Sequence, residues 1–502
     1  MPVIDPTILQ AARSAVVAAR QKPNPDVIKS YTQPGGATTG LAGYDLEAPS
    51  KKLIPWTAPL VNSIPRVTMG YGTQANWRAV TGVKLQGVRA GVSEGGRGQI
   101  IDQLTKDYNA VYKSLGVENY VTMEADLAAT GYEDVKSLAA TQTLLAHKVL
   151  QEAVILGGNT SLPLGITPTP TASAGAGGSL TAGVWSVICA ALTSQAYWDV
   201  AGINTAMPGQ SFSAATSLVR GQITRTLPRN ATDTVGSGTA GLSAAATATV
   251  SAGGSVAASL PGPLVGAYAY AWFFGPAGQE RLHSVTTVPT NTFTATAPTG
   301  AQLASAVPNG AADNSTNAHE HDGLLTIAAT NGSGSYRKYV GGALSGAGGG
   351  IAQIDDMLGT MYDQYLLSPT KIYMHWREMR ATRSLVMGQA NPNITFFVDP
   401  QSPGDLTIGK TFGRYVNPIT AQIVVLEVHP NMVPGTMLAV TDELPAYVQG
   451  VGTVMQIKCR RDYYQIEWPL NDRRYEYGVY TDQVLQHYFP PSLGVITGIV
   501  SP

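Results

Sequence analysis

The sequence predicts an α+β chain with an all-β unit inserted into it, and three observations carry that expectation. One is a capped run at helical period near residues 130–158. Another is a charge-poor middle whose short segments alternate at period two. The third is the return of strands and helices in turn after residue 341, the pattern of an α+β host domain. At 502 residues the chain has length for about three units with cores of their own. Its 55 glycines, 32 prolines and 13% charged residues suit strands and turns better than a charged helical bundle.

Residues 1–50 read as an N-terminal arm. Asp5 before Pro6 is a helix start, and Ile8, Ala12, Ala15, Val16 and Ala19 follow at helical spacing. Pro23, Pro25, Pro34 and Gly35-Gly36 then interrupt regular structure, so the segment needs neighbouring surfaces to order it. Residues 66–125 read as one long hairpin. Its tip is the glycine-rich stretch 90–98, and alternation resumes through Tyr108, Ala110 and Tyr112. A two-stranded excursion of that length is marginal alone and needs a partner surface.

Thr130 and Glu133 have capping-box spacing, and Gly157-Gly158 is a helix stop. Between them Val135, Leu138, Leu145, Val149, Ala153 and Leu156 form one apolar stripe of about seven turns. Charge then vanishes over 153–198, and over 234–312 only Glu280 and Arg281 carry it. In 267–274 the aromatics Tyr268, Tyr270, Trp272 and Phe274 share one face and alanines the other, which marks a strand and not a membrane helix. Strands at short intervals between Gly/Pro/Ser turns predict an immunoglobulin-like β-sandwich over 228–322, inserted between host segments 51–227 and 323–502. Residues 341–350 read as a flexible joint. Ile351, Ile354, Leu358, Met361 and Tyr365 then predict a helix with one buried face, stopped at Ser368-Pro369-Thr370. A strand at 371–374, a helix at 376–387 and buried strands at 394–398 and 423–427 complete the host.

Several chemistries are excluded. Net charge is -1, so no global basic field marks a dedicated nucleic-acid or anionic-membrane binder. Cys189 and Cys459 have no paired spacing, hence neither a disulfide framework nor a zinc set, and reduced cytoplasmic synthesis is expected. No secretory leader and no long apolar run stands out. Gly404-Asp405-Leu406-Thr407-Ile408-Gly409-Lys410-Thr411 matches the phosphate-loop pattern. However, Pro400 and Pro403 interrupt the approach, while Gly413 and Pro418 preclude the helix a phosphate cradle needs. His319-Glu320-His321-Asp322 is ligand-rich but lacks a third convergent ligand, and a solvated boundary loop is the expectation. Gly346 to Gly350 lacks the strand-first context of a dinucleotide fingerprint, and no G-x-S-x-G elbow occurs. The chain is expected to be no enzyme and to use no cofactor or metal.

The last region concentrates what charge there is. Arg460-Arg461 and Arg473-Arg474 sit among Asp462, Glu467, Asp472 and Glu476 and among Tyr463, Tyr464, Tyr475, Tyr477 and Tyr480. Guanidinium groups pair bidentately with carboxylates and stack on aromatic rings, and Arg and Tyr are enriched at buried protein contacts. On the residues alone, an intersubunit surface and a sheet edge with solvated charges stand level. The contact candidates are Arg460, Arg461, Asp462, Arg473, Arg474, Glu476 and Tyr477.

The segments RRDYYQIEWPL, RRYEYGVY and HYFPPSLGVITGI resemble the C-terminal region of tailed-bacteriophage major capsid proteins, shell subunits with the Hong Kong 97-type fold. The resemblance covers residues near 50–165 and 340–502 and is weakest over 170–340. It implies that the helix near 130–157 is the family's spine helix and 66–125 its extended loop over an adjacent subunit. It also implies that 323–502 forms the rest of the capsid core, with peripheral and axial regions. The implied function is structural: self-assembly into hexamers and pentamers of an icosahedral head that encloses double-stranded DNA by non-specific contact. A separate scaffolding protein, a portal and a decoration protein are the implied partners, with no membrane involved. The implied location is the virion capsid, assembled in the host cytoplasm. Some relatives cross-link a loop lysine; Lys84 lies on this loop, but no partner asparagine can be matched. Two other readings stand beside this one: a non-viral compartment shell of the same fold, and a β-rich adhesin or carbohydrate-active protein.

Overall fold

The computed structural model describes residues 10, 11, 13, 14, 51, 56–201, 212–227, 231–347, 350–388, 413–442, 444, 452–470 and 472–500. Most of the arm, the strand expected at 394–398 and the phosphate-loop pattern at 404–411 lie outside the described residues.

The host domain is layered around a six-stranded sheet. Its order is Tyr336–Gly342, Leu493–Ile499, Met437–Val440, Lys371–Met374, Ile423–Val428, Arg414–Val416. Alternation sends neighbouring residues to opposite layers. Ile372 and Met374 join Ile354, Met357, Leu358 and Met361 of helix Ala352–Tyr365 and Met379 of helix Trp376–Gly388. Tyr373, Leu438 and Val440 face the other way, onto Leu60, Ile155, Leu156 and Leu324. Helix Ala352–Tyr365 buries the expected stripe and closes on Leu366 in the left-handed region at φ 56°.

The long helix runs Val135–Gly157, 23 residues or about 35 Å. Its cap differs from expectation. Asp134 accepts from the N–H groups of Lys136 and Ser137 at 3.1 and 3.2 Å. Thr130 instead donates back to Leu127 O and Asp126 O, and Glu133 N–H to Ala129 O, in a turn where Gly131 sits at φ 85°. A side-chain acceptor next to the first free N–H groups takes them before a more distant one can.

A second sheet lies against this helix, in the order Arg66–Val67, Met455–Glu467, Arg474–His487, Lys113–Thr122. The hairpin is therefore shorter than expected: Gln74–Lys84 pairs with Asp102–Val111, while Lys113–Thr122 crosses to pair with Arg474–Gln483. Tyr112, buried between the two strands, marks the crossing.

The β-rich unit has two packed sheets. One is Thr290–Phe293, Gly254–Ser259, Thr171–Leu180; the other is Arg281–Thr286, Ala269–Gly275, Gly183–Leu192, Ala246–Val250. Between them lie Trp185, Trp272, Phe274 and Phe293, with Phe274 and Phe293 stacked at 4.4 Å. The expected start at residue 228 is corrected by the pairing. Thr171–Leu180 is a strand of the first sheet, paired with Gly254–Ser259, and Gly183–Leu192 a strand of the second, paired with Ala269–Gly275. Among the described residues no helix is long and apolar enough to cross a membrane.

Candidate functional site

Thr143, His147 and Gln151 recur every four residues, so they share one face of the long helix, and that face is buried on the second sheet. Alternation in strand Arg474–His487 turns Thr481 and Gln483 inward to meet them. His147 Nε2 lies 3.1 Å from Thr481 Oγ1, and burial beside Arg66 drives its pKa down to about 4. Gln151 donates to Gln483 and accepts from the Tyr463 hydroxyl at 2.5 Å. Gln483 Nε2 is 3.1 Å from His321 Nε2. Arg66 closes this seam: its guanidinium pairs with Asp462 at 2.5 Å and lies 4.6 Å from the Tyr463 ring centroid.

Glu152, one residue on, fastens a different element. Its carboxylate accepts from the N–H groups of Leu60 and Val61 at 2.8 and 2.7 Å, tying helix Pro59–Ser63 to the long helix. His429 Nε2 approaches it at 2.6 Å while His429 Nδ1 accepts from Asn431 N–H at 3.1 Å. A ring nitrogen that accepts carries no proton, so Nε2 is the donor to Glu152. These groups are occupied with one another and hold the host together. None is left as an open nucleophile beside a base. Cys459, buried, has its thiol pushed up to about 11, and burial likewise raises Cys189 well above the ordinary value, so neither is a thiolate at neutral pH. Among the described residues no group of three His, Cys, Asp or Glu could hold a metal.

The ligand-rich tetrad is not the solvated loop expected. His319 is exposed, 3.4 Å from Asp233, but Glu320 accepts from Gln195 and Asn317 at 2.6 and 2.9 Å. His321 is buried, and Asp322 accepts from Thr160 and Ser161 N–H at 2.8 and 3.0 Å. The tetrad joins the end of the long helix to the β-rich unit.

The two arginine pairs are not one patch. Arg461 pairs in register with Asp482, and Arg474 starts the same strand eight residues earlier. Eight residues of strand put the pairs about 26 Å apart. Arg460 lies 3.0 Å from Gly72 O and 3.6 Å from Asp482, and Arg461 covers Tyr464 at 4.2 Å. Arg473 reaches Glu124 at 2.9 Å; Arg474 reaches Asp472 and Glu476, each at 2.9 Å. Asp462 is already bound by Arg66. Tyr477 is a correction: it is 5% exposed and packs on Val121 and Ala139, because its position on the strand faces the long helix. Arg66 and Gln483 were missed by sequence reading, since their partners lie hundreds of residues away.

The hairpin is anchored at its base and bare beyond it. Ala75, Tyr112 and Val484 form a small buried cluster, and Trp77 stacks on Tyr108 at 5.7 Å. Lys106 and Lys113 donate to the carbonyls of Gly332 and Ala318 at 2.8 and 2.5 Å. A cleft of about 480 Å³ lies beside this base, reached by Trp77, Tyr108, Ser161, Asp322, Asn331 and His487. Toward the tip Leu85, Val92, Ile101 and Leu104 are exposed, and Ile100 is 94% exposed.

No family model matches the chain, and no curated protein matches it. Solved structures similar to it include the capsid of the native GTA particle, 7% identical over 92% of this chain and 96% of that one, TM-score 0.43. The capsid of Myoviridae phage XM1 is 9% identical over 93% of this chain and 100% of that one, TM-score 0.39. The holo-SrpI encapsulin complex from Synechococcus elongatus PCC 7942 is 9% identical over 91% and 92%, TM-score 0.36.

Proposed function

We propose that this chain is the repeated subunit of a closed icosahedral shell, the major capsid protein of a tailed bacteriophage. The observation that carries the reading is the hairpin: a two-stranded ribbon whose tip presents Leu85, Ile100 and Ile101 to solvent. Burying apolar surface is worth about 25 cal/mol per Å², so such a tip is stable and soluble when an adjacent copy covers it. The C-terminal segments that resemble the capsid family support the same reading, and so does a buried seam that makes the host rigid without supplying catalysis.

In this reading hexamers and pentamers enclose double-stranded DNA, and the particle forms in the host cytoplasm around a separate scaffolding protein. A portal and a decoration protein complete it. Arg460, Arg461, Arg473 and Arg474 contact neighbouring copies, and the β-rich unit, from residue 171 onward, is a surface module. The test is sedimentation and electron microscopy of the full chain, alone and coexpressed with its scaffolding protein. Closed particles or capsomer-sized rings are expected. A compact monomer in every condition overturns the proposal, and shells that package protein in place of DNA would favour a compartment.

A further inference from the structure

The cleft beside the hairpin base has a lining whose hydrogen bonds the host leaves unfinished. His487 ends strand Arg474–His487, is 2% exposed and lines the cleft. Neither of its ring nitrogens has a hydrogen-bond partner among the described residues. Trp77 lines the cleft too, and its buried Nε1 is likewise unpartnered. Buried polar groups are nearly always paired, so two such side chains on one lining mark a missing partner. Burial drives the His487 pKa down to about 3, which leaves the ring neutral at pH 7 with one N–H to donate. Lys106 and Lys113 stand on the same lining. Each gives one donor to a backbone carbonyl, Gly332 O at 2.8 Å and Ala318 O at 2.5 Å. An ammonium has three donors, so these tethers hold both charges in place without exhausting them.

The acids of the lining are already occupied. Asp322 accepts from two backbone N–H groups and Glu320 from two side-chain amides. Burial also pushes the Glu320 carboxyl up to about 7, so near neutral pH it carries a proton part of the time. The surplus is therefore of donors and of positive charge. Elsewhere the lining is flat and apolar: Trp77 stacks on Tyr108 with 18° between the rings, and Val111, Ile327, Leu485 and Pro490 adjoin them. The volume of about 480 Å³ falls within the range of small-molecule sites, about 300–1,000 Å³. We propose that this cleft binds a planar aromatic carboxylate, with its ring on the Trp77–Tyr108 wall and its carboxylate toward Lys106 and Lys113. Trp77 Nε1–H and the His487 N–H are the donors that such a ligand completes. An acidic peptide would meet the lysines but leave the flat wall bare. The proposal goes beyond the shell reading and does not rest on it, since every group named belongs to one subunit.

The test uses the full-length protein with 2-naphthoate as probe and 2-naphthalenemethanol as its uncharged counterpart, titrated by calorimetry and by saturation-transfer NMR. Wild type is expected to bind the carboxylate more tightly than the alcohol. Lys106→Gln/Lys113→Gln should weaken 2-naphthoate at least about tenfold, the worth of a hydrogen bond to a charged group, and leave the alcohol unchanged. His487→Phe and Trp77→Phe keep the ring shapes and remove the unpartnered nitrogens. Each should weaken 2-naphthoate while the melting temperature holds or rises, because no hydrogen bond within the chain is lost. A merely structural role would lower the melting temperature and leave the probe's affinity alone. No saturable binding of 2-naphthoate at millimolar concentration would overturn the proposal, as would equal affinity for the alcohol. Tetraglutamate competing as well as 2-naphthoate would overturn it in favour of an acidic protein segment.

Discussion

Strands Ala269–Gly275 and Gln74–Lys84 are both written in period-two alternation, yet they end in opposite surroundings. Every residue of the first is buried, with Tyr270, Trp272 and Phe274 between two sheets and Ala271 and Phe273 in a second core on the other side. The second pairs with one strand, and past Ala75 its residues are half-buried or exposed. Alternation decides that a strand forms. What covers its faces depends on whether the rest of the chain supplies two layers, one or none. The β-rich unit buries its aromatic face between its own sheets, whereas the hairpin leaves Leu85, Ile100 and Ile101 exposed among the described residues.

Breaking the complete region should cost most. Trp272→Ala removes a side chain that is 0% exposed and lies edge-on to Phe293 at 6.2 Å. Loss of about 3–5 kcal/mol is expected, read as a large drop in thermal stability of the subunit. A fall of under a kilocalorie would mean that the unit repacks freely and is not the close-packed core described.

Glu152→Gln sharpens the comparison inside the host. The amide can accept from Leu60 or Val61 but turns a donor toward the other, orphaning one buried N–H. A loss of about 1–3 kcal/mol by chemical denaturation is expected. No loss would show that the helix Pro59–Ser63 does not depend on that carboxylate.

Acidity should separate the junction from the long helix. Burial pushes the Glu320 carboxyl up to about 7, with the Asp199 charge adding and Gln195 opposing. A raised acid pKa means the folded state holds the proton, so this stability is full below the ordinary 4.5 and is lost as pH rises through about 7. His147 and His487 run the other way. Burial lowers them to about 4 and about 3, so their contribution is present above 6.5 and lost as pH falls toward those values. Glu320→Gln should flatten the alkaline side of a melting-temperature profile and leave the acid side unchanged. An unchanged alkaline side places the titrating group elsewhere.

The smallest effect on the lone subunit belongs to Arg473→Ala/Arg474→Ala. Its partners Glu124, Asp472 and Glu476 are surface acids, and such pairs are worth about 0–1 kcal/mol. If these arginines meet a neighbour's carboxylates, truncation costs about 2–5 kcal/mol per interface, and shell yield collapses while the melting temperature barely moves. Normal yield returns the cluster to a solvated edge.

What could be read from the sequence follows the same division. The helix at 352–365 was legible because this chain alone buries Ile351, Ile354, Leu358 and Met361 of its stripe, with Tyr365 half-buried. The aromatic strand was legible because large side chains alternate with alanine. Thr171–Leu180, reading TASAGAGGSL, was not: it carries almost no apolar alternation and is a strand because Gly254–Ser259 pairs with it. Hence the β-rich unit was begun too late. The helix cap was misplaced by one turn because two acceptable caps, Thr130 and Asp134, stand four residues apart. At the candidate site the arginines were found by their local density. Arg66, Gln151 and Gln483, whose partners are set by tertiary folding, gave no local signal. Tyr477 was misjudged because a strand's two faces cannot be assigned without knowing which one the helix covers.

The central claim is that the hairpin is made for a neighbour, and replacing residues 85–101 with a two-residue turn tests it most directly. The paired strands Gln74–Lys84 and Asp102–Val111 remain, and among the described residues Leu85, Val92, Ile100 and Ile101 of the tip they carry are exposed. Electron microscopy of the purified variant beside wild type, with melting curves of both, is the measurement. The account predicts an unchanged melting temperature, closed shells from wild type and none from the variant. Shells from the variant at wild-type yield would contradict it.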